Sequence, residues 1–317
     1  MTAVELMLAC ALDAVCGDPR WVPHPVRLMG CGIAWLDGRV RLWCRNPASL
    51  RGAGLVLAAG LPCFSYAAGW LAIEIGAAFG DWVGKGVAVV LAYTTLAARD
   101  LIDHVRAVER ALVSGNLLRA REAVSLIVGR DTRTLDEVEI IRATVETIAE
   151  NASDGIIAPL FYLTLGGAPL ALAYKAVNTL DSMIGHRDAR YEHFGWASAR
   201  LDDLANWLPA RLTACLIVAA AGLLTQRLDV VNASWRILRR DGHRHPSPNS
   251  GRPEAAMAGV LGVQLGGVNY YDGRPSERPR LGDPRRALAV QDIRRALHIT
   301  IMTAVLGVLL ALLVLLR

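Results

Sequence analysis

The chain has 317 residues, of which 53% are hydrophobic and 20% are charged, and its formal net charge is +5. An ordinary soluble domain is about 45–50% apolar, so this composition argues against a soluble domain. An excess of basic residues is typical of the cytoplasmic segments of membrane proteins, and we therefore expect no nucleic-acid partner. The six cysteines form no C-x-x-C pair, which argues against a zinc site or a thioredoxin-like motif.

The first polar motif is LDAVCGDPRWVPHPVRLMG, residues 12–30. Its three closely spaced prolines predict an extended, rigid segment. Rigidity without a periodic apolar face favours a positioned site over a core segment. The side chains that this segment would hold in place are those of Asp18, His24 and Arg27.

Uncharged runs follow at 53–73, 156–174 and 299–316. A helix needs about 20 apolar residues to cross a bilayer, so the first and last runs predict spans and the middle run is a candidate. Two weaker runs, 86–98 and 204–226, have a basic residue beside or within them. The chain therefore predicts an all-α, polytopic integral membrane protein with about four to six membrane-embedded helices.

Lysine and arginine are concentrated in segments 17–52, 99–155 and 227–298. The positive-inside rule places such segments in the cytoplasm. We therefore expect a multi-pass protein of the inner membrane, with cytoplasmic helices and loops that form the active site. A single membrane-embedded domain over 1–317 is expected.

Residues 134–151 have the apolar spacing of a helix, on which Arg142 and Glu146 can pair at i, i+4. Glu150, Asn151 and Asp154 lie where this helix gives way to the apolar run. Charged groups at such a place are costly unless they bind something. Oxygen ligands of this kind suit Mg²⁺.

The run 156–174 has Gly166-Gly167-Ala168-Pro169 at its middle, which is turn chemistry. It predicts either a helical hairpin, with its turn buried against protein, or a kinked full span. Both alternatives stay open at this point.

Two polar motifs flank the apolar runs in the middle of the chain. On a helix over 174–191, Lys175, Asn178 and Ser182 share a face with Asp181 beside it, which favours a phosphate- or carboxylate-binding role over an interfacial anchor. In ARLDDLANWLPARLTA, Asp202 or Asp203 pairs with Asn206 at helical spacing, or else caps a helix.

The string from Ser247 to Pro253 is a tight loop before a small-residue helix that begins near Pro253-Glu254. Loop amides and a helix N-terminus together form an anion site, and Arg252 adds a planar donor for phosphate. Asn249 and Ser250 belong to the same loop. A capped surface loop is the simpler alternative.

Four strings, GDPRWVPHPVRLMG, VGRDTRTLDEVEIIRATVETIAENASDGIIAPLFY, YKAVNTLDSMIGHRDARYEHFGWASARLDDLANWLPARLTA and SPNSGRPEAAMAGVLGVQLGG, together resemble the adenosylcobinamide-phosphate synthase family of cobalamin biosynthesis (CobD/CbiB). The resemblance covers nearly the whole chain. It implies a membrane enzyme that joins the free propionate of adenosylcobyric acid to the amine of (R)-1-amino-2-propanol phosphate, or an ethanolamine analogue, with ATP and Mg²⁺.

The resemblance implies an acyl phosphate route, for which metal ligands, a base and basic groups are needed. The catalytic assignments are Glu150, Asp154, Asp181 and Lys175. The Mg²⁺ ligands are drawn from Glu146, Glu150, Asp154 and Asp181. Substrate and phosphate binding is assigned to Asp18, His24, Arg27, Arg130, Asn151, Asn178, Ser182, Asp203, Asn206, Ser247, Asn249, Ser250, Arg252 and Glu254. We expect these patches to converge on one cavity open to the cytoplasm.

The expected partners are the corrinoid, the aminopropanol phosphate and the lipid bilayer. A homo-oligomer or an association with other cobalamin-pathway enzymes is left open, as are the preferred amine and the division of metal and base roles among the carboxylates. Two rival functions use the same fold: a non-catalytic membrane sensor or accessory protein, and a corrinoid transporter.

Overall fold

The structure is a computed structural model that describes residues 1–18, 24–186, 188–271 and 273–317. Within these residues the chain forms thirteen α-helices, one π-helical turn and one two-stranded antiparallel sheet. The helices are α1 (Ala3–Cys16), α2 (Pro25–Trp43), α3 (Pro47–Ala78), α4 (Asp81–Tyr93), α5 (Ala98–Val113), α6 (Leu117–Ser125), α7 (Glu137–Asn151), α8 (Ala158–Ile184), α9 (Trp196–Ala205), α10 (Trp207–Thr225), α11 (Leu228–Asp241), α12 (Gly251–Leu261) and α13 (Gln291–Leu315). The π-helical turn is Ala152–Ile157, and the strands are β1 (Leu265–Tyr271) and β2 (Arg274–Leu281). The predicted all-α class is confirmed.

Four segments among the described residues are helical, long and apolar enough to cross a membrane. They are Pro47–Ala78, Glu137–Ile184, Trp207–Thr225 and Gln291–Leu315. They coincide with four of the five predicted runs, which confirms the prediction of a polytopic membrane protein. The fifth run, 86–98, falls largely in α4, whose 13 residues rise about 20 Å and so are shorter than the hydrocarbon thickness.

The chain forms two compact units. Unit 1 comprises Met1–Ala97, Ala158–Asn206 and Leu310–Arg317, and unit 2 comprises Ala98–Ile157 and Trp207–Leu309. Unit 1 contains α1 to α4, α8 and α9, whereas unit 2 contains α5 to α7, the π-helical turn, α10 to α12, the sheet and most of α13. The expectation of a single domain over 1–317 stays a prediction.

Helix α8 in unit 1 reverses direction at its predicted turn. Gly166 and Gly167 leave the helical conformation, and Gly167 has a φ of 67°, which a residue without a Cβ adopts at little cost. Twelve residues of unbroken helix would separate Tyr162 from Tyr174 by about 18 Å, yet their rings stack with centroids 4.8 Å apart. The chain therefore folds back at these glycines, which agrees with the hairpin alternative.

The second arm of this hairpin packs in the core of unit 1. One buried cluster joins α2, α3 and the second arm of α8, and consists of Ile33, Leu57, Leu180, Ile184 and Phe194. Gly69 of α3 lies so close to Pro169 and Leu172 that a Cβ there would stand 2.7 Å from the Leu172 side chain. The close approach of α3 to α8 thus requires the small residue.

A buried carboxylate fixes the segment that follows the hairpin in the chain. Asp37 of α2 accepts hydrogen bonds from Arg41 Nε at 2.7 Å and Arg190 Nη2 at 2.7 Å. The Tyr191 hydroxyl donates to the same side chain at 3.3 Å. These contacts hold 190–191 against α2 within unit 1.

In unit 2, α11 packs against α12 through small residues. The Ser234 hydroxyl donates to the Ala256 carbonyl at 2.8 Å, and a Cβ at Gly259 would lie 2.5 Å from the Ser234 Cα. The two strands that follow α12 pair antiparallel, with an irregularity in register between Leu265 and Gly267. At this irregularity the main-chain amide of Gly266 faces α7 and donates to Glu146.

Candidate functional site

Glu146 of α7 is the centre of a buried charge network in unit 2. Its carboxylate accepts hydrogen bonds from Arg130 Nη2 at 2.5 Å and Arg142 Nη1 at 3.2 Å. The main-chain amide of Gly266 donates to it at 2.8 Å. The predicted Arg142–Glu146 pair is confirmed. Since both oxygens of Glu146 already accept from cations, the network suits an anchor between α7 and β1, and the Mg²⁺-ligand role of Glu146 stays a prediction.

Asn269 of β1 completes this network and was missed by sequence reasoning. Its Oδ1 accepts from Arg130 and, at 3.0 Å, from Arg142. Arg142 also donates to the Val268 carbonyl at 3.0 Å. The Nδ2 of Asn269 is buried and has no hydrogen-bond partner in the described part of the chain. No local signal could have identified Asn269, because its partners lie more than a hundred residues away in the chain.

Glu150 lies one helical turn after Glu146, at the C-terminal end of α7. The Ser250 hydroxyl donates to Glu150 Oε1 at 3.0 Å. The loop that carries Ser250 is folded around Ser247, whose hydroxyl oxygen accepts the amides of Asn249 and Ser250, each at 3.3 Å. The predicted tight loop is confirmed, although α12 begins at Gly251, two residues earlier than expected. Glu150 and the loop are thus brought together.

The two other predicted residues at this end of α7 behave differently. The Asn151 side chain donates to the Thr147 carbonyl of its own helix at 3.0 Å, which is a local role. Asp154 lies half-buried in the π-helical turn. π-Helical turns often occur at functional sites. The sequence did not predict the turn at Ala152–Ile157.

Glu254 is a buried acid on α12, with 3% of its surface exposed. Burial and the negative charges of Glu146 and Glu150 hold the pKa of Glu254 well above its usual range, against the opposing effect of Arg278 and Arg130. Such surroundings favour the protonated form of a carboxyl group, which can donate a hydrogen bond.

His245 and Arg278 form a second pair that sequence reasoning missed. Arg278 Nη1 lies 3.2 Å from His245 Nε2, and a guanidinium can only donate, so Nε2 accepts and the ring is neutral. Burial and the charge of Arg278 lower the pKa of His245. Arg278 also donates to the Tyr271 hydroxyl at 2.8 Å. His245 stands just before the predicted loop, and its position was the one available signal.

In unit 1, the predicted residues of α8 all lie on the second arm of the hairpin. Lys175, Asn178 and Asp181 are half-buried, whereas Ser182 is exposed. The Ser182 hydroxyl donates to the Thr179 carbonyl at 3.0 Å. The shared helical segment agrees with the prediction, and the assigned roles stay predictions.

Asn206 is held by neighbours in unit 1. Its Nδ2 donates to Asp202 Oδ1 at 2.9 Å, and its Oδ1 accepts from the Tyr174 hydroxyl at 2.9 Å. The structure thus selects Asp202 from the two predicted partners, while Asp203 lies 3.6 Å from Arg200. Asn206 has 1% of its surface exposed, and its side chain links α9 to the second arm of α8.

Part of the N-terminal motif is described. His24 Nε2 lies 3.3 Å from Asp18 Oδ1, His24 is buried, and Arg27 is exposed. Residues 19–23, which carry two of the three prolines, lie outside the described residues. The prediction of an extended segment is wrong at Pro25, which begins α2, because proline fits the first turn of a helix.

Comparison with known proteins agrees with this sequence pattern. The family model described as CobD/Cbib protein matches residues 6–300. The chain belongs to the CobD/Cbib family. It is 50% identical to the cobalamin biosynthesis protein CobD of Geobacter metallireducens over 89% of this chain and 87% of the relative. It is 47% identical to CobD of Yersinia enterocolitica (98% and 96%) and 45% identical to CbiB of Salmonella typhi (94% and 93%). No solved structure matches.

One set of the predicted residues of this CobD/Cbib chain belongs to unit 2. They are Arg130, Glu146, Glu150, Asn151, Asp154, Ser247, Asn249, Ser250, Arg252 and Glu254. The remaining predicted residues, Asp18, His24, Arg27, Lys175, Asn178, Asp181, Ser182, Asp203 and Asn206, belong to unit 1. Convergence of both sets on one cavity stays a prediction.

The described residues of this family member contain no group of three or more His, Cys, Asp or Glu side chains that could hold a metal ion. Mg²⁺ commonly takes one or two carboxylates and completes its shell with water and substrate phosphate. A carboxylate beside an anion-binding loop, as Glu150 is, fits that mode of binding.

Proposed function

We propose that the chain is an adenosylcobinamide-phosphate synthase, which joins the free propionate of adenosylcobyric acid to the amine of 1-amino-2-propanol phosphate. Membership of the CobD/Cbib family supports a role in cobalamin biosynthesis, since the relatives are called cobalamin biosynthesis proteins. The reaction type, ATP as co-substrate and the cytoplasmic face of the inner membrane as its location belong to the proposal.

The observation that carries the proposal is the hydrogen bond between Ser250 and Glu150. It places a carboxylate directly beside a loop whose Arg252 side chain suits a phosphoryl group. An amide ligase that uses a phosphorylated amine needs this combination, because the phosphate must be held while a nearby group handles the proton of the amine.

The reaction proceeds in two steps, formation of an acyl phosphate and its conversion to the amide. In the first, a carboxylate oxygen of the corrinoid acid forms a bond to the γ-phosphorus of ATP, and the bond from that phosphorus to the bridging oxygen breaks to release ADP. In the second, the amine nitrogen forms a bond to the acyl carbon, and the carbon–oxygen bond breaks to release phosphate with its electron pair. The amine enters as an ammonium ion, so it loses one proton before the attack and a second one after it.

Glu150 is the residue of unit 2 best suited to accept one of these protons. Burial and its acidic neighbours raise the pKa of Glu254 and favour its protonated form, which suits a hydrogen-bond donor better than a base. Glu146 is engaged with Arg130 and Arg142. The alternative role of Glu150, together with Asp154, is to hold Mg²⁺, which would supply positive charge to the phosphoryl group.

The test is product formation by the full-length chain in detergent, with adenosylcobyric acid, aminopropanol phosphate and MgATP. Glu150→Gln should lower kcat at least about 100-fold, as expected for loss of a general base, while the protein still folds. Glu122→Gln, an exposed residue of α6 in the same unit, is the matched control and should stay near wild type.

Absence of amide product from folded wild-type protein that binds the corrinoid would contradict the proposal. Movement of labelled corrinoid across a vesicle membrane without ATP-dependent product would favour the transporter instead. Near-normal turnover of Glu150→Gln would remove Glu150 from the site without touching the reaction itself.

A further inference from the structure

Arg211 is the only charged residue of α10, one of the four apolar segments long enough to cross a membrane. A cation in such a helix is costly unless it has a partner. Within the part of the chain that the structure describes, Arg211 forms no ion pair with an Asp or Glu. Its hydrogen-bond partners are neutral groups instead.

The contacts of Arg211 aim it at the loop before α12. Its Nη1 donates to the Trp207 carbonyl at 2.6 Å and to Asn249 Oδ1 at 3.3 Å. The guanidinium also lies 4.2 Å from the centroid of the Trp207 ring, a cation–π distance. These contacts orient the side chain but leave its positive charge without a counter-charge.

Arg252 follows the same loop, in the first turn of α12. Its main-chain amide donates to the Asn249 carbonyl at 3.0 Å, so Asn249 contacts the Arg252 main chain and the Arg211 side chain. The Nε of Arg252 is buried and has no hydrogen-bond partner among the residues that the structure describes. A buried guanidinium donor without an acceptor is unfavourable unless a ligand supplies one.

The two guanidinium groups are close enough for the charge of Arg252 to act on Arg211. Two like charges held at one loop, without an ion pair to a described carboxylate for either, repel each other. An anion between them removes this repulsion and satisfies the donor. A phosphate monoester is doubly charged at neutral pH, and it matches two guanidinium groups in charge and geometry.

We propose that Arg211 and Arg252 together hold the phosphate of a phosphorylated substrate, so that Arg211 selects the phosphorylated amine over the free amino alcohol. The inference rests on the proposed function for the identity of that substrate. The anion site itself stands on the contacts of the two arginines. Sequence reasoning found Arg252 but passed over Arg211, which looked like an interruption of an apolar run.

The experiment measures binding of methyl phosphate to the full-length chain in detergent by calorimetry, without corrinoid or ATP. Arg211→Gln should weaken binding about 10- to 100-fold, since a hydrogen bond to a charged group is lost. Arg211→Lys, which keeps the charge, should recover part of that loss. Arg227→Gln, an exposed arginine whose partner is Asp229, is the matched control and should bind as wild type.

A pH series on the wild type needs no variant and reports charge selection. Methyl phosphate loses its second proton near about pH 6, so its affinity should rise as pH goes from 5 to 7.5. Sulfate is doubly charged throughout, and its affinity should change little. An affinity for methyl phosphate that stays flat over this range overturns the proposal.

Turnover measurements distinguish the phosphate-binding role of Arg211 from the proposed synthase function. In Arg211→Gln, KM for aminopropanol phosphate should rise about 10- to 100-fold with little change in kcat, and kcat/KM for the free amino alcohol should stay as in wild type. Equal loss for both amines, or unchanged methyl phosphate binding in a folded variant, overturns the role of Arg211. If wild type binds methyl phosphate through Arg211 but yields no amide, the proposed function fails and the anion site stands.

Discussion

Replacing Glu146 by glutamine keeps the shape of the side chain but removes the negative charge that Arg130 and Arg142 share. All three side chains are almost completely buried, so the two arginines would be left without an ionic partner. Removal of one partner from a buried ion pair costs about 3–5 kcal/mol. Asn269 remains as a neutral acceptor for both arginines, so we expect the lower end, about 3 kcal/mol.

A loss of this size is measurable as thermal unfolding in detergent. For a unit of 150–250 residues, 1 kcal/mol corresponds to about 2–4 °C, and about 3 kcal/mol therefore to about 6–12 °C. The Gly266 amide donates to Glu146, so hydrogen exchange of β1 should accelerate in the same variant. Glu137→Gln, an exposed change in the first turn of α7, should cost less than about 1 kcal/mol.

A Glu146→Gln variant within about 1 kcal/mol of wild type, with unchanged exchange of β1, would refute this reasoning. Glu146 would then not stabilise the packing of α7 against β1, and the hypothesis that its carboxylate binds Mg²⁺ would be favoured. Loss of turnover without loss of stability would point the same way. A double-mutant cycle with Arg142→Gln checks the pairing, because side chains in contact should show a coupling energy above about 0.5 kcal/mol.

Two further predictions concern the hairpin and the histidine. Gly167→Ala should destabilise unit 1 by about 1–2 kcal/mol, because φ at 67° is strained for an L residue, whereas Gly60→Ala, in open space on α3, should be neutral or stabilising by thermal unfolding. The pKa of His245 lies below its unfolded value because of burial and Arg278, with Glu150 and Glu146 opposing. Folding therefore favours the neutral His245 ring. Its contribution to the free energy of unfolding is complete above about pH 6.5 and declines as pH falls below that value. His245→Gln should flatten this part of the stability profile measured by denaturant unfolding, and an unchanged slope would contradict the assignment.

Much of the framework could be predicted because it depends on local patterns. Uncharged runs of about 20 residues indicate spans by length alone, and the glycine pair with Pro169 indicated the reversal of α8. The i, i+4 spacing of Arg142 and Glu146 predicted their pairing, and the loop at Ser247 followed from its turn residues. Each of these features lies within a few residues in the chain, where helix geometry and turn chemistry act directly.

The features that could not be predicted from the sequence depend on contacts between segments that are distant in the chain. The strands β1 and β2 show no convincing alternation, so Asn269 and Arg278 were not expected near α7. Spacing also left Asp202 and Asp203 as equal partners of Asn206, and only the helical phase of α9 in the folded unit decided between them. Arg211 was passed over because a single charge in an apolar helix looks the same in sequence whether it is tolerated or used.

The acids of unit 2 can now be separated by their surroundings rather than by their order in the chain. Glu146 is neutralised by two arginines, and the pKa of Glu254 is raised because burial and its acidic neighbours disfavour a further negative charge. The Ser250 hydroxyl donates to Glu150, which places this carboxyl group beside the loop that Arg252 and Arg211 make positive. A carboxylate and a bound anion repel each other unless a proton or a metal ion lies between them. The position of Glu150 therefore links the phosphate site to the step in which the amine becomes a nucleophile.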